Sequence, residues 1–253
     1  MELGLVGLAN AGKTALFNLL TGAGGEVAPY PYTTREPTRG AADVPDPRID
    51  AIADVQDIPR RVPAQVQLVD IAGLTTGAGR GEGVGGAALG ALRQTDALVH
   101  VIRAFANAEV PHPNERVDPL ADAEAVDLEL IAADAAQIER RLERVVKTAR
   151  SGDPEAKAEL AELETLRAQL DEGRPARGSD DADARRRGDE MGLLTSKPVL
   201  YVVNTDEPGP PPQEILDQAA AQCANELELP VGFEVEMCEF YRLVGYLLSA
   251  YLD

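Results

Sequence analysis

Apolar and polar residues alternate along the chain in a way that predicts strands interleaved with helices. Four short runs have the near-continuous hydrophobicity of strands that are covered on both faces. These runs span residues 3–6, 64–70, 97–103 and 198–204, and helices are predicted over 14–20, 47–55 and 86–94. Strands separated by helices indicate an α/β fold with a doubly wound, mostly parallel sheet.

One segment departs from this rhythm and predicts an antiparallel helical hairpin from about 122 to 172. Its apolar residues recur at steps of three and four, the seam of two packed helices. They are Leu128, Ile131, Ala135, Ile138, Leu142, Val145 and Ala149, then Ala156, Leu160, Leu163, Leu166 and Leu170. Gly152, Asp153 and Pro154 have the order of a helix end, an N-cap and a first helical residue. Residues 173–190 are polar and predict a loop with at most a short helix.

This pattern predicts a domain of residues 1–117 and 195–253, interrupted by an inserted helical, coiled-coil domain of residues 118–194. The composition of the chain excludes some functions, because 43 acidic and 24 basic residues give it a net charge of −19. Such a chain is repelled by bare phosphate, which disfavours sequence-specific DNA binding and anionic membranes. No run approaches the roughly 18 apolar residues of a membrane span. Two cysteines, Cys223 and Cys238, are too few for a disulfide framework, so we expect the protein in the cytoplasm. We also expect it to be a monomer.

The strongest motif lies between the first strand and the first helix. Residues 7–14 read GLANAGKT, which matches the G-x-x-x-x-G-K-[ST] phosphate loop in its strand-to-helix context. Backbone N–H groups there curl around phosphate oxygens, and the helix start adds its dipole. Lys13 is predicted to reach the outer phosphates and assist catalysis, and Thr14 to bind Mg²⁺. The predicted phosphate-binding residues are Asn10, Ala11, Gly12, Lys13, Thr14 and Ala15.

Two further segments are predicted to sense the terminal phosphate. Asp70 and Gly73 follow a strand, where the acidic residue holds the metal through water and the Gly73 N–H contacts a γ-phosphate. The glycine-rich run 77–86 is interpreted as a nucleotide-ordered switch, with a flexible linker as the alternative. Of Thr33 and Thr34, we expect Thr34 to be the second Mg²⁺ ligand; an ordinary loop threonine is the alternative.

Together these motifs resemble the Obg-like branch of the translation-factor GTPases, specifically the YchF-type Obg-like ATPases. The likeness is carried by GLVGLANAGKTALFNLLTGAG, PYPYTTREPTRGAADVPDPRIDAIA, LVDIAGLTTGAGRGEGVGG and KPVLYVVNTDE, and it covers residues 2 to about 207. It implies a Mg²⁺-dependent P-loop nucleotidase, with K⁺ as a second candidate cation, that prefers ATP and acts in translation or stress regulation. It also implies contact with the ribosome and a C-terminal TGS domain, for which we find no counterpart in these residues.

The base-binding tetrad favours ATP independently. GTPases read guanine with N-K-x-D, whose Asp accepts from donors that adenine lacks. Here the tetrad is Asn204-Thr205-Asp206-Glu207, in which Glu207 is one methylene longer than Asp and Thr205 replaces the Lys. A site built to pair the guanine donors discriminates strongly, and this one lacks the parts. The resemblance places adenine against Asn204, Thr205 and Glu207. Asp206 keeps an Obg-type GTPase as the alternative, and residues 236–238 are the nearest candidate for a second base loop.

The residues expected to hydrolyse nucleotide are less regular. Leu74 stands where Ras-like enzymes carry the Gln that orients water, so intrinsic turnover should be slow. By the resemblance, His112 aligns with a histidine of hydrolytic role, and its charge can change near neutral pH. A surface-loop histidine is the alternative for His112, and His100 is expected to be a satisfied core residue. A binding module that holds nucleotide without hydrolysing it is the alternative function.

A basic cluster crowds the distal half of the first hairpin helix: Arg140, Arg141, Arg144, Lys147 and Arg150. Such a patch can touch ribosomal RNA or an acidic partner despite the acidic whole. The alternative is that these cations complement the helix dipole and pair with glutamates of the second helix.

Overall fold

A six-stranded sheet organises the chain in the computed structural model, which describes residues 1–22, 37–44, 46–56, 58–59, 61–71, 85–206 and 210–229. The strands are β1 (Glu2–Val6), β2 (Thr38–Val44), β3 (Ala64–Asp70), β4 (Ala97–Arg103), β5 (Val199–Asn204) and β6 (Asn225–Leu229). Their order is β2-β3-β1-β4-β5-β6. β2 runs antiparallel to β3, whereas the other pairs are parallel. The predicted α/β class is therefore confirmed.

The helices within the described ranges are α1 (Lys13–Thr21), α2 (Pro47–Gln56), α3 (Gly85–Arg93), α4 (Pro119–Arg150), α5 (Pro154–Asp171), α6 (Ala182–Glu190) and α7 (Gln213–Ala221). Short 3₁₀ turns lie at Ala176–Gly178 and Leu194–Ser196. α1, α2 and α3 match the helices predicted from the sequence within one or two residues.

Alternate residues of the strands form two apolar cores, one on each face of the sheet. On one face, residues such as Leu5 and Val99 pack against Leu16 and Phe17 of α1. On the other face, strand residues pack against α3, α4 and α7. Every residue of β4 and of β5 is buried, as expected for central strands covered on both faces. The carboxyl ends of the parallel strands are thereby fixed at one edge, where the candidate site lies.

The helical hairpin is present, and α4 and α5 share a third core. Its members include Ile138, Val145, Leu163 and Leu170, which the seam predicted. Leu128 is an exception, because 59% of its surface is exposed. The first turns of α4 face the sheet through the positions of Ala123, Val126 and Leu130 instead, so the prediction for Leu128 is wrong. The beginning of α4 packs in the core next to the sheet, so the helical hairpin shares this core with the sheet. The division into domains at residue 118 stays a prediction.

The turn between α4 and α5 has the chemistry that its sequence predicts. Gly152 adopts a left-handed φ of 97° just after α4 ends. The Asp153 carboxylate caps α5 by accepting hydrogen bonds from the backbone N–H groups of Glu155 (2.9 Å) and Ala156 (3.2 Å). Pro154 is the first residue of α5, where its missing N–H leaves no bond unmade. The chain therefore reverses direction in three residues.

α6 forms within the polar segment 173–190 and fills nine residues of it. Its buried residues are Ala184 and Gly188, and Asp181 caps its N-terminus. So small a buried face leaves no hydrophobic period in the sequence. Within the described ranges, no helix combines the length and the apolar character needed to cross a bilayer.

Candidate functional site

The phosphate loop connects β1 to α1 at the carboxyl edge of the sheet. α1 begins at Lys13 without a side-chain cap, so its first N–H groups point at the space a phosphate would fill. Gly12 adopts a left-handed φ of 103°, and an added Cβ would lie 2.4 Å from Asn204 Nδ2. Asn10 also has a positive φ of 62°, which asparagine tolerates well. Ala11 is buried beside them and Ala15 lies in the first turn of α1.

Lys13 is folded over the phosphate loop. Its Nζ donates to the carbonyl oxygens of Gly7 (3.1 Å) and Leu8 (2.8 Å), and the residue is buried. Burial lowers the pKa of Lys13 to about 8, against the opposing attraction of Asp70. An ammonium in so dry a place gains much from an arriving anion, because a charge there is weakly solvated.

Thr14 and Asp70 meet at the end of β3, as the motif predicts. Thr14 Oγ1 donates to Asp70 Oδ2 at 2.6 Å. Burial raises the pKa of Asp70, while the hydrogen bond from Thr14 and the nearby Lys13 lower it. Among the described residues, Asp70 Oδ1 is buried and has no hydrogen-bond partner. A hydroxyl and an unsatisfied carboxylate are the hard oxygen ligands that Mg²⁺ takes together with phosphates and water, so the residues fit this ion.

The predicted base-binding segment contacts the phosphate loop directly. Asn204 ends β5, and its Nδ2 donates to the Ala11 carbonyl oxygen at 3.1 Å. Thr205 follows it, half-buried. The Asp206 carboxylate accepts a hydrogen bond from the backbone N–H of Ala106 at 2.9 Å. Asp206 is therefore held by the loop after β4.

That loop, residues 104–118, also contacts the phosphate loop. Asn10 Nδ2 donates to the Pro111 carbonyl oxygen at 2.9 Å. The buried Arg103 holds the loop from beneath by donating to the carbonyl oxygens of Phe105, Asn107 and Val110 at 3.0–3.3 Å. The loop is thus fastened both to the phosphate loop and to Asp206.

His112 lies in this loop and is held by the first turn of α4. Its Nε2 is 2.7 Å from Asp122 Oδ2, and both side chains are 5% exposed. Its Nδ1 accepts the backbone N–H of Asn114 at 3.1 Å. Burial raises the pKa of Asp122, whereas the hydrogen bond from His112 lowers it. The interpretation of His112 as a free surface histidine does not fit this burial.

Several predicted site residues lie outside the described residues. They are Thr33, Thr34, Gly73, Leu74, Glu207, the glycine-rich run up to residue 84, and residues 236–238. Their predicted roles stay predictions. Within the described ranges, no three His, Cys, Asp or Glu residues cluster as a metal site. A Mg²⁺ site here therefore has to draw its remaining ligands from elsewhere, such as nucleotide and water.

His100 is a core residue, as expected, but its ring is not fully satisfied. It packs edge-on against Tyr201, with ring centroids 4.9 Å apart. The Tyr201 hydroxyl and Gln218 Nε2 (2.9 Å) donate to Asp127, whereas His100 Nδ1 has no hydrogen bond within the described part of the chain. Burial lowers the pKa of His100 to about 3, so the ring is neutral.

The basic cluster of the hairpin is partly paired. Arg141 Nε lies 2.6 Å from Glu159 Oε1, whereas no ion pair is found in the described residues for Arg140, Arg144, Lys147 and Arg150. Arg140, Arg141 and Arg144 line a surface groove of about 480 Å³ with Arg187 of α6. Both interpretations of the cluster thus have support in different residues.

A buried carboxylate that sequence reasoning missed joins the hairpin to α3. Asp134 has no exposed surface and accepts four hydrogen bonds: from Arg93 Nη1 (2.9 Å), the N–H groups of Leu194 (3.1 Å) and Thr195 (2.7 Å), and Thr195 Oγ1 (2.8 Å). The available signal was an acidic residue on the buried side of an amphipathic helix, between Ile131 and Ile138. Such a residue needs partners in the fold.

Comparison with known proteins gives a consistent picture. A family model described as "50S ribosome-binding GTPase" matches residues 2–148. A "Ribosome-binding ATPase YchF" of Escherichia coli O157:H7 is 41% identical over 236 residues, which is 92% of this chain and 65% of that protein. The protein of the same name from Bacillus subtilis is 40% identical over 205 residues, 81% of this chain and 56% of its own length.

Among solved structures, the Schizosaccharomyces pombe YchF GTPase superposes with a TM-score of 0.75 at 33% identity. The match covers 92% of this chain and 66% of that one. The matches thus span between 56% and 66% of the length of these relatives, less than two thirds in each case.

Proposed function

Since the chain belongs to the family of 50S ribosome-binding GTPases, on its YchF branch, we propose that it is a Mg²⁺-dependent switch that slowly hydrolyses ATP to ADP and phosphate. The observation that carries the proposal is the group of Lys13, Thr14 and Asp70 at the phosphate loop. Lys13 is buried over the loop, and the Thr14 hydroxyl lies 2.6 Å from the Asp70 carboxylate. These are the parts that hold and neutralise a triphosphate in P-loop nucleotidases.

When bound, Mg²⁺ would neutralise charge on the phosphates, with Thr14, Asp70 and the predicted Thr34 as its protein ligands. Lys13 would exchange its two backbone carbonyl partners for phosphate oxygens, which are stronger acceptors for an ammonium. The uncapped N–H groups of α1 would donate to the same phosphates. K⁺ stays a second candidate cation, tested by replacing it with Na⁺ in the hydrolysis assay.

The preference for ATP is proposed from the base-binding segment. Asp206 is the remaining carboxylate in the described part of this tetrad, and it accepts the Ala106 N–H at 2.9 Å. Turning it towards guanine would break this hydrogen bond, which lies at the surface and is therefore worth no more than about 1 kcal/mol. This supports adenine recognition by Asn204, Thr205 and Glu207, with an Obg-type GTPase as the second candidate.

Competition against a fluorescent nucleotide tests this preference. The wild-type chain should bind ATP more tightly than GTP, and the double change Thr205→Lys with Glu207→Asp should reverse the order, because it supplies the guanine-reading groups. Asp206→Asn should not raise the affinity for ATP. Tighter binding of GTP by the wild-type chain would contradict the proposal.

Slow hydrolysis is proposed because Leu74 cannot orient water and His112 lies next to the phosphate loop. Phosphate release should therefore be measured under single-turnover conditions with Mg²⁺ and K⁺. His112→Ala should lower the rate by about 100-fold, the usual scale of a lost general base. No detectable release by the wild-type chain would favour the alternative of a non-hydrolysing binding module.

Ribosome contact is proposed through the hairpin. The curated relatives are named ribosome-binding ATPases, and exposed cations of α4 stand unpaired in the described residues of an otherwise acidic chain. Co-sedimentation with ribosomes should weaken in Arg144→Glu. A matched charge reversal on α5, Lys157→Glu, should have a smaller effect, because Lys157 does not line the surface groove formed by the arginines of α4 and Arg187. Equal effects of the two reversals would contradict a specific role for the groove.

A further inference from the structure

Both ring nitrogens of His112 are engaged, and the two bonds differ in kind. The Nδ1 atom accepts a backbone N–H from Asn114 at 3.1 Å, so the ring proton lies on Nε2. This Nε2–H faces Asp122 Oδ2 at 2.7 Å. Asn114 Nδ2 donates to the other Asp122 oxygen at 3.3 Å. The carboxylate therefore fixes both the ring and the turn that carries it.

The pair of His112 and Asp122 packs against the phosphate loop. The two side chains line a closed gap with Leu8, Ala9 and Ala11 of the loop and with Arg103 beneath it. The gap holds no space for a water molecule. The neighbouring residue Pro111 accepts the hydrogen bond from Asn10. The histidine is thus packed beside the loop that would hold the triphosphate.

The bond to Asp122 is the stronger of the two. It joins a carboxylate to a ring N–H between side chains that are 95% covered, whereas the Asn114 bond is neutral and lies at the surface. Charge-assisted hydrogen bonds are roughly twice as strong as neutral ones. Nδ1 therefore has the weaker of the two bonds and is the nitrogen that can exchange its partner at the lower cost.

We propose that Asp122 is a positioning residue that holds His112 as the Nε2–H tautomer and leaves Nδ1 to accept the proton of the attacking water. This inference rests on the proposed hydrolytic function. In the step, the water oxygen bonds to the γ-phosphorus and the bond to the β–γ bridging oxygen breaks. The electron pair leaves with the diphosphate, and the proton goes to His112 Nδ1. Because Asp122 belongs to α4, the hairpin itself positions the base.

The test compares single-turnover phosphate release and nucleotide affinity in five variants of the full chain: three are described here, and His112→Ala and a double variant follow below. Asp122→Ala should lower the rate constant by about tenfold or more, on the scale of a displaced general base, and leave nucleotide affinity within about twofold. Asp122→Asn should lie between Asp122→Ala and wild type, because its amide oxygen still accepts the Nε2–H without the charge. Asp118→Asn is the matched control: it removes a carboxylate four residues away and keeps an N-cap, so its rate should match wild type.

The double variant Asp122→Ala with His112→Ala separates this role from a structural one. If Asp122 acts through His112, the double variant should be no slower than His112→Ala alone. Two outcomes would overturn the inference and leave the proposed function standing. One is that the losses in rate of the two single variants multiply in the double variant. The other is a wild-type rate in Asp122→Ala together with a slow rate in His112→Ala. A wild-type rate in His112→Ala would remove the proposed base and this inference with it, whereas lost nucleotide binding in the wild-type chain would refute the proposed function itself.

The tautomer provides a readout other than activity. The chain contains two histidines, so long-range ¹H–¹⁵N spectra of the rings are simple to assign with a His100 variant. The His112 ring should show the Nε2–H pattern in wild type and in Asp118→Asn. It should shift towards a mixture of tautomers in Asp122→Ala. An unchanged ring pattern in Asp122→Ala would overturn the positioning role.

Discussion

Replacing Asp134 by asparagine should destabilise the chain severely, although the two side chains have nearly the same shape. The Asp134 carboxylate is fully buried and accepts four donors, two on each oxygen. An asparagine amide presents one oxygen and one NH₂ group, so in either orientation its NH₂ replaces an oxygen that accepts two hydrogen bonds. At least one buried backbone N–H therefore loses its acceptor and meets another donor.

The size of the effect follows from the groups left unpaired. With the NH₂ at the Oδ2 position, the Thr195 N–H loses its acceptor, while the Thr195 hydroxyl can turn and accept instead. With the NH₂ at the Oδ1 position, Arg93 and the Leu194 N–H lose theirs. Each buried unsatisfied donor costs about 1–3 kcal/mol. We expect a loss of about 3–5 kcal/mol in the free energy of unfolding, as for a broken buried ion pair. For a chain of this size, that lowers Tm by about 6–20 °C.

Urea denaturation followed by circular dichroism measures this loss directly. Glu139→Gln is the control, because Glu139 lies on the exposed side of the same helix and its change should stay within about 0.5 kcal/mol. A free energy of unfolding for Asp134→Asn within about 1 kcal/mol of wild type would refute the reasoning from unpaired donors.

Three further predictions follow from contacts of single residues. Burial lowers the pKa of His100 from 6.5 to about 3 in the folded chain, so between pH 7 and pH 5 only the unfolded chain binds this proton. Relative to His100→Phe, the wild-type chain should therefore lose about 2 kcal/mol in its free energy of unfolding over this range, measured by urea titration. Parallel pH profiles of the two proteins would contradict this prediction. Gly12→Ala should weaken Mg²⁺–ATP binding at least about tenfold by calorimetry, because its Cβ meets the Asn204 amide at a positive φ, and unchanged affinity would contradict that clash. Arg141, whose side chain is 47% exposed, should show a coupling of no more than about 1 kcal/mol with Glu159 in a double-mutant cycle, and a larger value would contradict its treatment as a surface pair.

The strands that the sequence predicts are those with the most buried residues. β4 and β5 are buried along their whole length and have nearly continuous apolar runs, and β1 and the second half of β3 share this character. β2 and β6 were not predicted. β2 is an edge strand whose buried residue is Ala42 alone, so its sequence carries neither a run nor a period. α6 was predicted as no more than a short helix within residues 173–190, since alanine and glycine form its buried face and leave no hydrophobic period.

In the candidate site, the residues that a local motif encodes could be predicted, whereas the contacts between distant segments could not. The phosphate loop and Asp70 were predictable, because a fixed spacing around a strand and a helix encodes them. The bonds from Asn10 to Pro111, from Ala106 to Asp206 and from His112 to Asp122 join separate elements, and a single sequence has no spacing that encodes such bonds. The burial of His112 likewise depends on where α4 begins.

The central claim is that residues 7–14 cradle the phosphates of a Mg²⁺-bound nucleoside triphosphate. Titration calorimetry of Mg²⁺–ATP and Mg²⁺–GTP into the wild-type chain and into Lys13→Ala tests it most directly. The account predicts measurable binding by wild type and an affinity about 10- to 100-fold weaker in Lys13→Ala, the value of one charge-assisted hydrogen bond. Absence of heat with both nucleotides, or equal affinities of the two proteins, would contradict it.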